Sequence, residues 1–121
     1  MLELMDNLPD KVIGVRASGW VGAGDYTNVL APAVDAAVAR HGKVRVVYQI
    51  GPDFAGFTPG AMWDDMKVGL SHFRAWEKIA VVTDVAWVAG TMQFFFFAMP
   101  FPTRVFPLAE LRQAIDWAGG D

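Results

Sequence analysis

The stretch that decides the fold is Val44-Arg45-Val46-Val47-Tyr48-Gln49-Ile50, a run rich in β-branched side chains. Such a run is typical of a central strand in a sheet that is covered on both faces. Glycine, proline and aspartate follow it, and residues 51–56 are therefore interpreted as a loop. A second short apolar run, at residues 79–82, predicts another buried strand over residues 78–83.

Before the central strand, the sequence predicts a hairpin followed by a helix. Residues 1–7 and 11–18 are joined by only three residues, and two strands with so short a connection pair antiparallel. Three glycines within residues 19–24 are interpreted as a tight reversal after the hairpin, because the order of a phosphate-binding loop is missing. Residues 25–40 carry an apolar stripe at helical spacing, in which Pro32 should end a first turn or kink the helix.

After the central strand, helices and strands alternate. Thr58 and Pro59 are predicted to open a helix as its N-cap and first residue, and Asp84 is predicted to cap the helix after the next strand. A strand over residues 103–106 and a helix over residues 107–117 complete the order ββαβαβαβα. This order predicts an α/β fold, a mixed sheet with an N-terminal antiparallel hairpin and then βα units. We expect one domain over residues 1–121.

The composition narrows the class of protein. Hydrophobic residues make up 54% of the chain and charged residues 19%, so there is ample material for a core and disorder is not expected. The net charge of −3 argues against nucleic acid as a partner, which clustered lysine and arginine would attract. The absence of cysteine excludes disulfides and cysteine-ligated metal sites and is compatible with a reducing cytosol. No cofactor is predicted.

The most membrane-like segment is residues 85–101, which carry no charge. It falls short of the roughly 20 residues that span a bilayer and contains Gly90 and Pro100, so we predict a helix and not a transmembrane segment. The first residues are acidic and lack the basic start of a signal peptide. A cytoplasmic protein is therefore expected.

Three local stretches carry a resemblance to a known family: residues 61–69 (AMWDDMKVG), residues 78–84 (KIAVVTD) with Trp87 after them, and residues 105–111 (VFPLAEL). With the order of elements and the chain length, they resemble the SpoIIAA-like family, whose fold is that of STAS domains. The resemblance implies a small bacterial protein without established catalysis. STAS proteins act as anti-sigma-factor antagonists or regulatory domains, and the SpoIIAA-like branch has been discussed as carriers of apolar ligands.

The resemblance also points to a phosphorylation switch just before the second helix. The family pattern there has adjacent hydroxyl residues, whereas residues 53–60 (DFAGFTPG) contain one, Thr58. A phosphate would be tolerated at a helix N-terminus, where free N–H groups and the positive dipole end meet it. The alternative is that Thr58 is a plain N-cap, which contributes about 1 kcal/mol and by itself explains the residue.

Four consecutive phenylalanines, at residues 94–97, are the most informative feature of the sequence. Successive helical residues are about 100° apart, so the four rings surround the helix and cannot all face one sheet. Exposed apolar patches mark protein, ligand or membrane contacts. Flanking loops, a homodimer or partner interface, and a ligand pocket or membrane surface remain the alternatives for what covers the outer rings.

A second apolar cluster, formed by Phe54, Phe57, Met62 and Trp63, follows the central strand. It lies at the edge of the sheet where α/β proteins place ligands. The same residues could also plug the end of the core. The leading hypothesis is a non-enzymatic STAS-like binding or regulatory module that binds an apolar small molecule or a protein partner, including another copy of itself. Its predicted binding residues are Phe54, Phe57, Trp63, Val88, Met92, Phe95, Phe96 and Met99.

The second hypothesis is a signalling protein resembling an anti-sigma-factor antagonist and switched at Thr58. The last is a small hydrolase-like enzyme that uses Asp65 and His72. These two residues are seven apart and share a helix face only loosely, and acids in the first turns of a helix stabilise its dipole. Solvated helix charges explain them better than catalysis does.

Overall fold

A computed structural model describes residues 1–60, 75–96 and 101–120. In these residues a five-stranded sheet is formed in the order β1-β2-β3-β4-β5. The first two strands are antiparallel, and every later pair is parallel. The predicted mixed sheet with an N-terminal hairpin is therefore confirmed. The strands are β1 (Leu2–Leu4), β2 (Val12–Val21), β3 (Val44–Phe57), β4 (Trp76–Thr83) and β5 (Thr103–Phe106).

The helical elements whose two ends both lie in the described residues follow β2, β4 and β5. A single turn α1 (Ala23–Asp25) continues through a π-helical turn (Tyr26–Leu30) into α2 (Ala31–His41). Helix α3 (Ala86–Phe96) follows β4, and a 3₁₀ turn (Leu108–Glu110) leads into α4 (Leu111–Gly119). Helix α2 is followed by its C-cap Gly42, which adopts φ 71°, a left-handed conformation that glycine allows at the end of a helix.

The interruption predicted at Pro32 takes the form of the π-helical turn. Pro32 lies in the first turn of α2 and has no N–H to donate to the preceding turn. The residue before it, Ala31, donates its N–H to the carbonyl of Tyr26, five residues back. The wider turn therefore lets the helix axis continue past the proline without a break.

The predicted loop over residues 51–56 is wrong, because β3 continues through these residues to Phe57. Strand β2 likewise runs on to Val21, so the two strands stay paired beyond Ile50, with Phe57 opposite Val21. Register shifts on either side of Gly19 absorb the irregular residues. The glycine and proline content of residues 51–56 predicts a loop. In the structure these residues lie in a bulged extension of the sheet.

The core has two parts, one on each face of the sheet. On one face, alternate residues of β3 such as Val44, Val46 and Ile50 pack with α2 and with Val88 of α3. On the other face, Val47 belongs to a smaller cluster with α4. Because side chains alternate along a strand, β3 is covered on both faces, as its β-branched run predicted.

Two basic side chains hold the C-terminal end of α4 against the amino ends of β3 and β4. Arg45 is 6% exposed, pairs with Glu77 and donates to the carbonyls of Ala118 (2.8 Å) and Gly120. Lys78 Nζ donates to the carbonyls of Trp117 (2.9 Å) and Gly120 (3.0 Å). Cations are favourable at this negative end of a helix dipole.

Asp84 does not cap α3, contrary to the prediction. Its Oδ1 accepts the backbone N–H of Leu108 at 3.0 Å, at the start of the 3₁₀ turn. Before α3, the Oγ1 of Thr83 accepts the N–H of Val85 instead. Asp84 therefore does accept an N–H at the start of a helical turn, as its residue type suggests. The turn is the 3₁₀ turn at Leu108 and not α3.

Candidate apolar binding site

The carboxyl end of β3 carries two phenylalanines in contact. Phe54 is buried in the core, and Phe57 is half-buried three residues later. Their ring centroids are 5.0 Å apart at 64°, an edge-to-face arrangement that aromatic rings favour. Both residues were predicted as binding residues, and the strand that replaces the predicted loop brings their rings together.

Trp87, in the first turn of α3, extends this contact to the surface. Its indole stacks on the ring of Phe54, with centroids 5.9 Å apart and planes at 27°. Trp87 is nevertheless 56% exposed. Phe54, Phe57 and Trp87 are called the aromatic cluster below. It runs from the core to the surface at the edge of the sheet where β3 and β4 end.

The sequence prediction did not include Trp87 among the binding residues. If residues 86–96 form a helix, Trp87 lies on the same face as Thr91 and Phe94. Val88 and Met92 lie on another face. That spacing could have identified it as an exposed aromatic residue. Its contact with Phe54 could not be inferred, since it depends on how α3 sits at the end of β3.

The predicted α3 residues that the structure describes lie on its inner face. Val88 is 1% exposed, and Met92 is half-buried against the same core cluster that contains Phe54. Both therefore contribute mainly to the core beneath the aromatic cluster. Phe94, on the opposite side of the helix, is 77% exposed.

The expectation that the phenylalanine run reaches beyond its own sheet is met at Phe94. Phe95 and Phe96 belong to α3, but their side chains lie outside the described residues. Trp63 and Met99 lie outside the described residues as well, and their predicted roles stay predictions. The same holds for the proposed acid and base, Asp65 and His72.

Thr58 lies between the aromatic cluster and the start of a helix. It directly follows Phe57, and helical residues begin at Pro59, as the N-cap prediction requires. Its N–H donates to the carbonyl of Val21 at 2.9 Å, which extends the pairing of β2 and β3 by one bond. The Thr58 hydroxyl lies close to Gly22, since a Cβ added to this glycine would be 3.9 Å from Thr58 Oγ1.

The carboxyl group of Asp25, in α1, has a lowered pKa. Burial raises the pKa of its carboxyl, but the N–H groups of Gly22 and Leu2 and the amino group of Met1 together lower it below the ordinary value of 3.8. The two N–H groups donate to it at 2.8 and 3.2 Å. Asp25 thereby joins β1 to the start of α1.

Two open grooves lie away from the aromatic cluster. One, of about 380 Å³, lies between the β1–β2 connection and α4, beside Leu8 and Ile115. The other, of about 260 Å³, lies between the β1 end of the sheet and α2, beside Ile13 and Ala37. Neither is lined by a residue of the cluster, so the candidate site is a surface built on the core and not one of these grooves.

Within residues 1–60, 75–96 and 101–120, no three histidine, aspartate or glutamate side chains are grouped so that they could hold a metal ion. None of the helices in this part of the chain has the length and apolar character needed to cross a membrane.

Comparison with known proteins decides the family. The model of the SpoIIAA-like family matches residues 12–119, which is nearly the whole chain. The chain belongs to the SpoIIAA-like family. This confirms the resemblance carried by the order of elements and by the three local stretches. The matched range includes the aromatic cluster, Thr58 and all of α4.

A solved structure agrees with this SpoIIAA-like assignment. The chain is similar to an uncharacterized protein of the DUF3478 family with a SpoIIAA-like fold from Shewanella loihica PV-4, with a TM-score of 0.75 and 22% sequence identity. The alignment covers 98% of this chain and 92% of the other. No curated protein matches the chain. The SpoIIAA-like fold is that of STAS-like regulatory or binding modules and is generally non-enzymatic.

Proposed function

We propose that this SpoIIAA-like protein is a non-enzymatic binding module that holds an apolar small molecule against the aromatic cluster. The observation that carries the proposal is the stacking of the exposed Trp87 on the core residue Phe54. An indole that is more than half exposed and fixed by a ring contact offers apolar area with little loss of side-chain freedom on binding.

The position of the cluster supports a ligand site. Open α/β sheets place ligands outside the carboxyl ends of their strands, where β3 and β4 end and α3 begins. Helix α3, which carries Trp87 of the cluster, is uncharged, since residues 86–96 contain no acidic or basic side chain. An apolar ligand would therefore displace water from the aromatic rings and would not have to desolvate a charged side chain of α3.

The available area fits weak to moderate binding. A tryptophan contributes about 250 Å² at most, so covering the 56% of Trp87 that is exposed removes about 140 Å² from water. At about 25 cal/mol per Å² this amounts to about 3.5 kcal/mol before the costs of association are subtracted. Phe57, which is half-buried, adds further area.

Native mass spectrometry of freshly purified protein tests the proposal directly. We expect a bound apolar species, and we expect Trp87→Ala to lose it or to bind a fluorescent apolar probe at least about tenfold more weakly. Trp20→Ala is the matched control, because Trp20 is 64% exposed and is not part of the cluster. An empty protein that also fails to bind the probe, or an equal loss in both variants, would contradict the proposal.

A second candidate is a phosphorylation switch at Thr58, favoured by its position next to Phe57. A phosphate there would place a double negative charge beside the aromatic cluster at a helix start. A phosphorylated Thr58 in cells, with ligand or partner binding that changes on phosphorylation and not in Thr58→Ala, would support the switch. A Thr58→Ala variant that loses only about 1 kcal/mol of stability would support the plain N-cap.

A further inference from the structure

The groove of about 260 Å³ between the β1–β2 hairpin and α2 has an apolar length and a charged end. Its apolar walls are formed on the hairpin side by Leu4, Met5 and Ile13 and on the helix side by Ala33, Ala36 and Ala37. Asp10, Arg40 and His41 line the groove as well. The groove therefore offers both apolar contacts and charges to a ligand.

The direction of α2 places these three charged or polar side chains at one end. Helix α2 follows β2 and precedes β3, and the two strands are parallel, so its last residues lie at the amino ends of both strands. Arg40 and His41 are those last residues, and Asp10 lies two residues before β2. Ala33 precedes Arg40 by seven residues, about 10.5 Å along the helix axis, so the apolar length leads away from the charges.

Small side chains keep the groove open against the core. The alanines of α2 that line it lie at positions i, i+3 and i+4, which share one helix face. Ala37 and Ile13 belong to the edge of the larger core cluster, whereas Leu4 is 54% exposed. An apolar group in the groove would therefore contact the core edge and cover part of Leu4.

The charges at the end of the groove are unpaired. In the parts of the chain that the structure describes, neither Asp10 nor Arg40 forms an ion pair, either with the other or with a third residue. Arg40 and His41 also stabilise the negative end of the α2 dipole, but this does not account for the carboxylate of Asp10. Opposite charges that line one groove without contact leave room for a molecule that carries both.

We propose that this groove binds a free amino acid with an apolar side chain. The guanidinium of Arg40 would hold the ligand carboxylate, whose geometry it matches with two parallel N–H groups, and the imidazole of His41 can add a further donor. Asp10 would accept the ligand ammonium group, which the negative end of α2 also favours. The ligand side chain would lie along the alanines of α2.

The size of the groove and its charges favour this ligand over others. At about 30 Å³ for each water, 260 Å³ corresponds to about nine waters and hence to a molecule of about nine non-hydrogen atoms, such as leucine. A carboxylic acid without an ammonium group would meet the carboxylate of Asp10. A neutral apolar molecule would desolvate Asp10 and Arg40 without replacing their water.

This site goes beyond the proposed function, because it is separate from the aromatic cluster. The groove lies at the start of β2, whereas Phe54 pairs with Gly19 near the other end of that strand. Binding of an amino acid in the groove therefore neither requires nor excludes an apolar ligand at Trp87.

Titration of the full chain with L-leucine, followed by amide NMR, tests the proposal. We expect saturable shifts of amides along the groove, in residues 4–14 and 33–41, at leucine concentrations below about 10 mM. Isocaproate lacks the ammonium group of leucine, and isoamylamine lacks its carboxylate. Each should bind at least about tenfold more weakly than leucine, because one charged hydrogen-bonding group is lost.

Two pairs of variants test the place of binding. Ala36→Phe fills the groove and should weaken leucine binding at least about tenfold, whereas Ala39→Phe, on the same helix and also exposed but outside the groove, should not. Arg40→Met should weaken it to a similar extent, whereas Arg16→Met removes an exposed arginine elsewhere and should leave it unchanged. The amide spectrum of each variant shows that it is folded.

Several outcomes would overturn the proposal. They are the absence of leucine-dependent shifts up to about 10 mM, shifts confined to residues away from the groove, and equal effects of the two members of either variant pair. Binding of isocaproate or isoamylamine as tight as that of leucine would equally exclude a site for a molecule with both charges.

Discussion

At the scale of single residues, two positions have structural roles that the sequence pattern did not predict. Gly56 adopts φ 146°, a conformation that side chains rarely tolerate, and the ring of Trp20 lies 3.0 Å from where its Cβ would be. Asp25 gathers two backbone N–H groups that belong to different elements. Gly56 comes from a segment that was predicted as a loop, and Asp25 is the first residue of a predicted helix.

Gly56→Ala should destabilise the protein by about 1–3 kcal/mol, because alanine is strained at this φ and also meets the Trp20 ring. Urea unfolding measures the loss. Gly24→Ala is the matched control: Gly24 lies in α1 with only ordinary contacts, so alanine there should be neutral or stabilise by up to about 1 kcal/mol.

The double variant Trp20→Ala with Gly56→Ala separates the two causes. If the ring contact dominates, removing the indole should restore most of the lost stability, whereas backbone strain at φ 146° would persist. Equal destabilisation by Gly24→Ala and Gly56→Ala would show that the backbone conformation of Gly56 is unimportant.

Asp25 predicts an acid dependence of stability. Its pKa in the folded protein is lowered, so the stabilisation is fully present above its ordinary value of 3.8 and is lost as the pH falls through the lower folded value. Asp25→Asn should cost on the order of 1 kcal/mol near pH 7. The difference between variant and wild type should shrink below about pH 4, as measured by urea unfolding at pH 7, 4 and 3. A constant difference over this range would rule out the carboxylate as the cause.

At the scale of elements, the placement of α4 depends on side chains from two strands. Arg45 and Lys78 supply donors to three carbonyls at its C-terminal end. The centroid of the Trp117 ring is also 5.0 Å from Lys78 Nζ and 5.8 Å from the guanidinium of Arg104. Helix carbonyls at this end have no partner within the helix. The strands therefore provide the capping that the sequence of α4 lacks.

Arg45→Met should cost about 2–3 kcal/mol, because it leaves the Ala118 carbonyl of α4 and the Glu77 carboxylate without their donor. Hydrogen exchange should show the loss of protection concentrated in α4. Glu77→Gln is the control and should cost less, since Glu77 is partly exposed and the carbonyl contacts of Arg45 remain. Equal effects of the two substitutions would show that the ion pair, and not the capping of α4, is what matters.

At the scale of the whole molecule, three apolar regions of the described residues bear on the proposed site. Two are the core clusters on opposite faces of the sheet. The third is exposed and lies on α3, where the inner face completes the core and the outer face carries Trp87 and Phe94. The aromatic cluster joins the exposed part to the core, because Trp87 of α3 stacks on the core residue Phe54.

The sequence by itself determined the order of the elements that the structure describes, the central position of residues 44–50, the mixed sheet and the family. These follow from local signals: β-branched runs, helical spacing and short connections, whose physics lies within a few residues. It also indicated Phe54 and Phe57 as binding residues and an outer aromatic surface on α3.

Only the tertiary structure decided which residues meet. Pairing with β2 turned residues 51–56 into strand, because backbone hydrogen bonds to a distant segment outweighed a local composition of glycine and proline. The stacking of Trp87 on Phe54, the capping of α4 by Arg45 and the use of Asp84 at Leu108 likewise join residues 24 to 75 positions apart. Contacts at such separations depend on how elements pack, which no local pattern records.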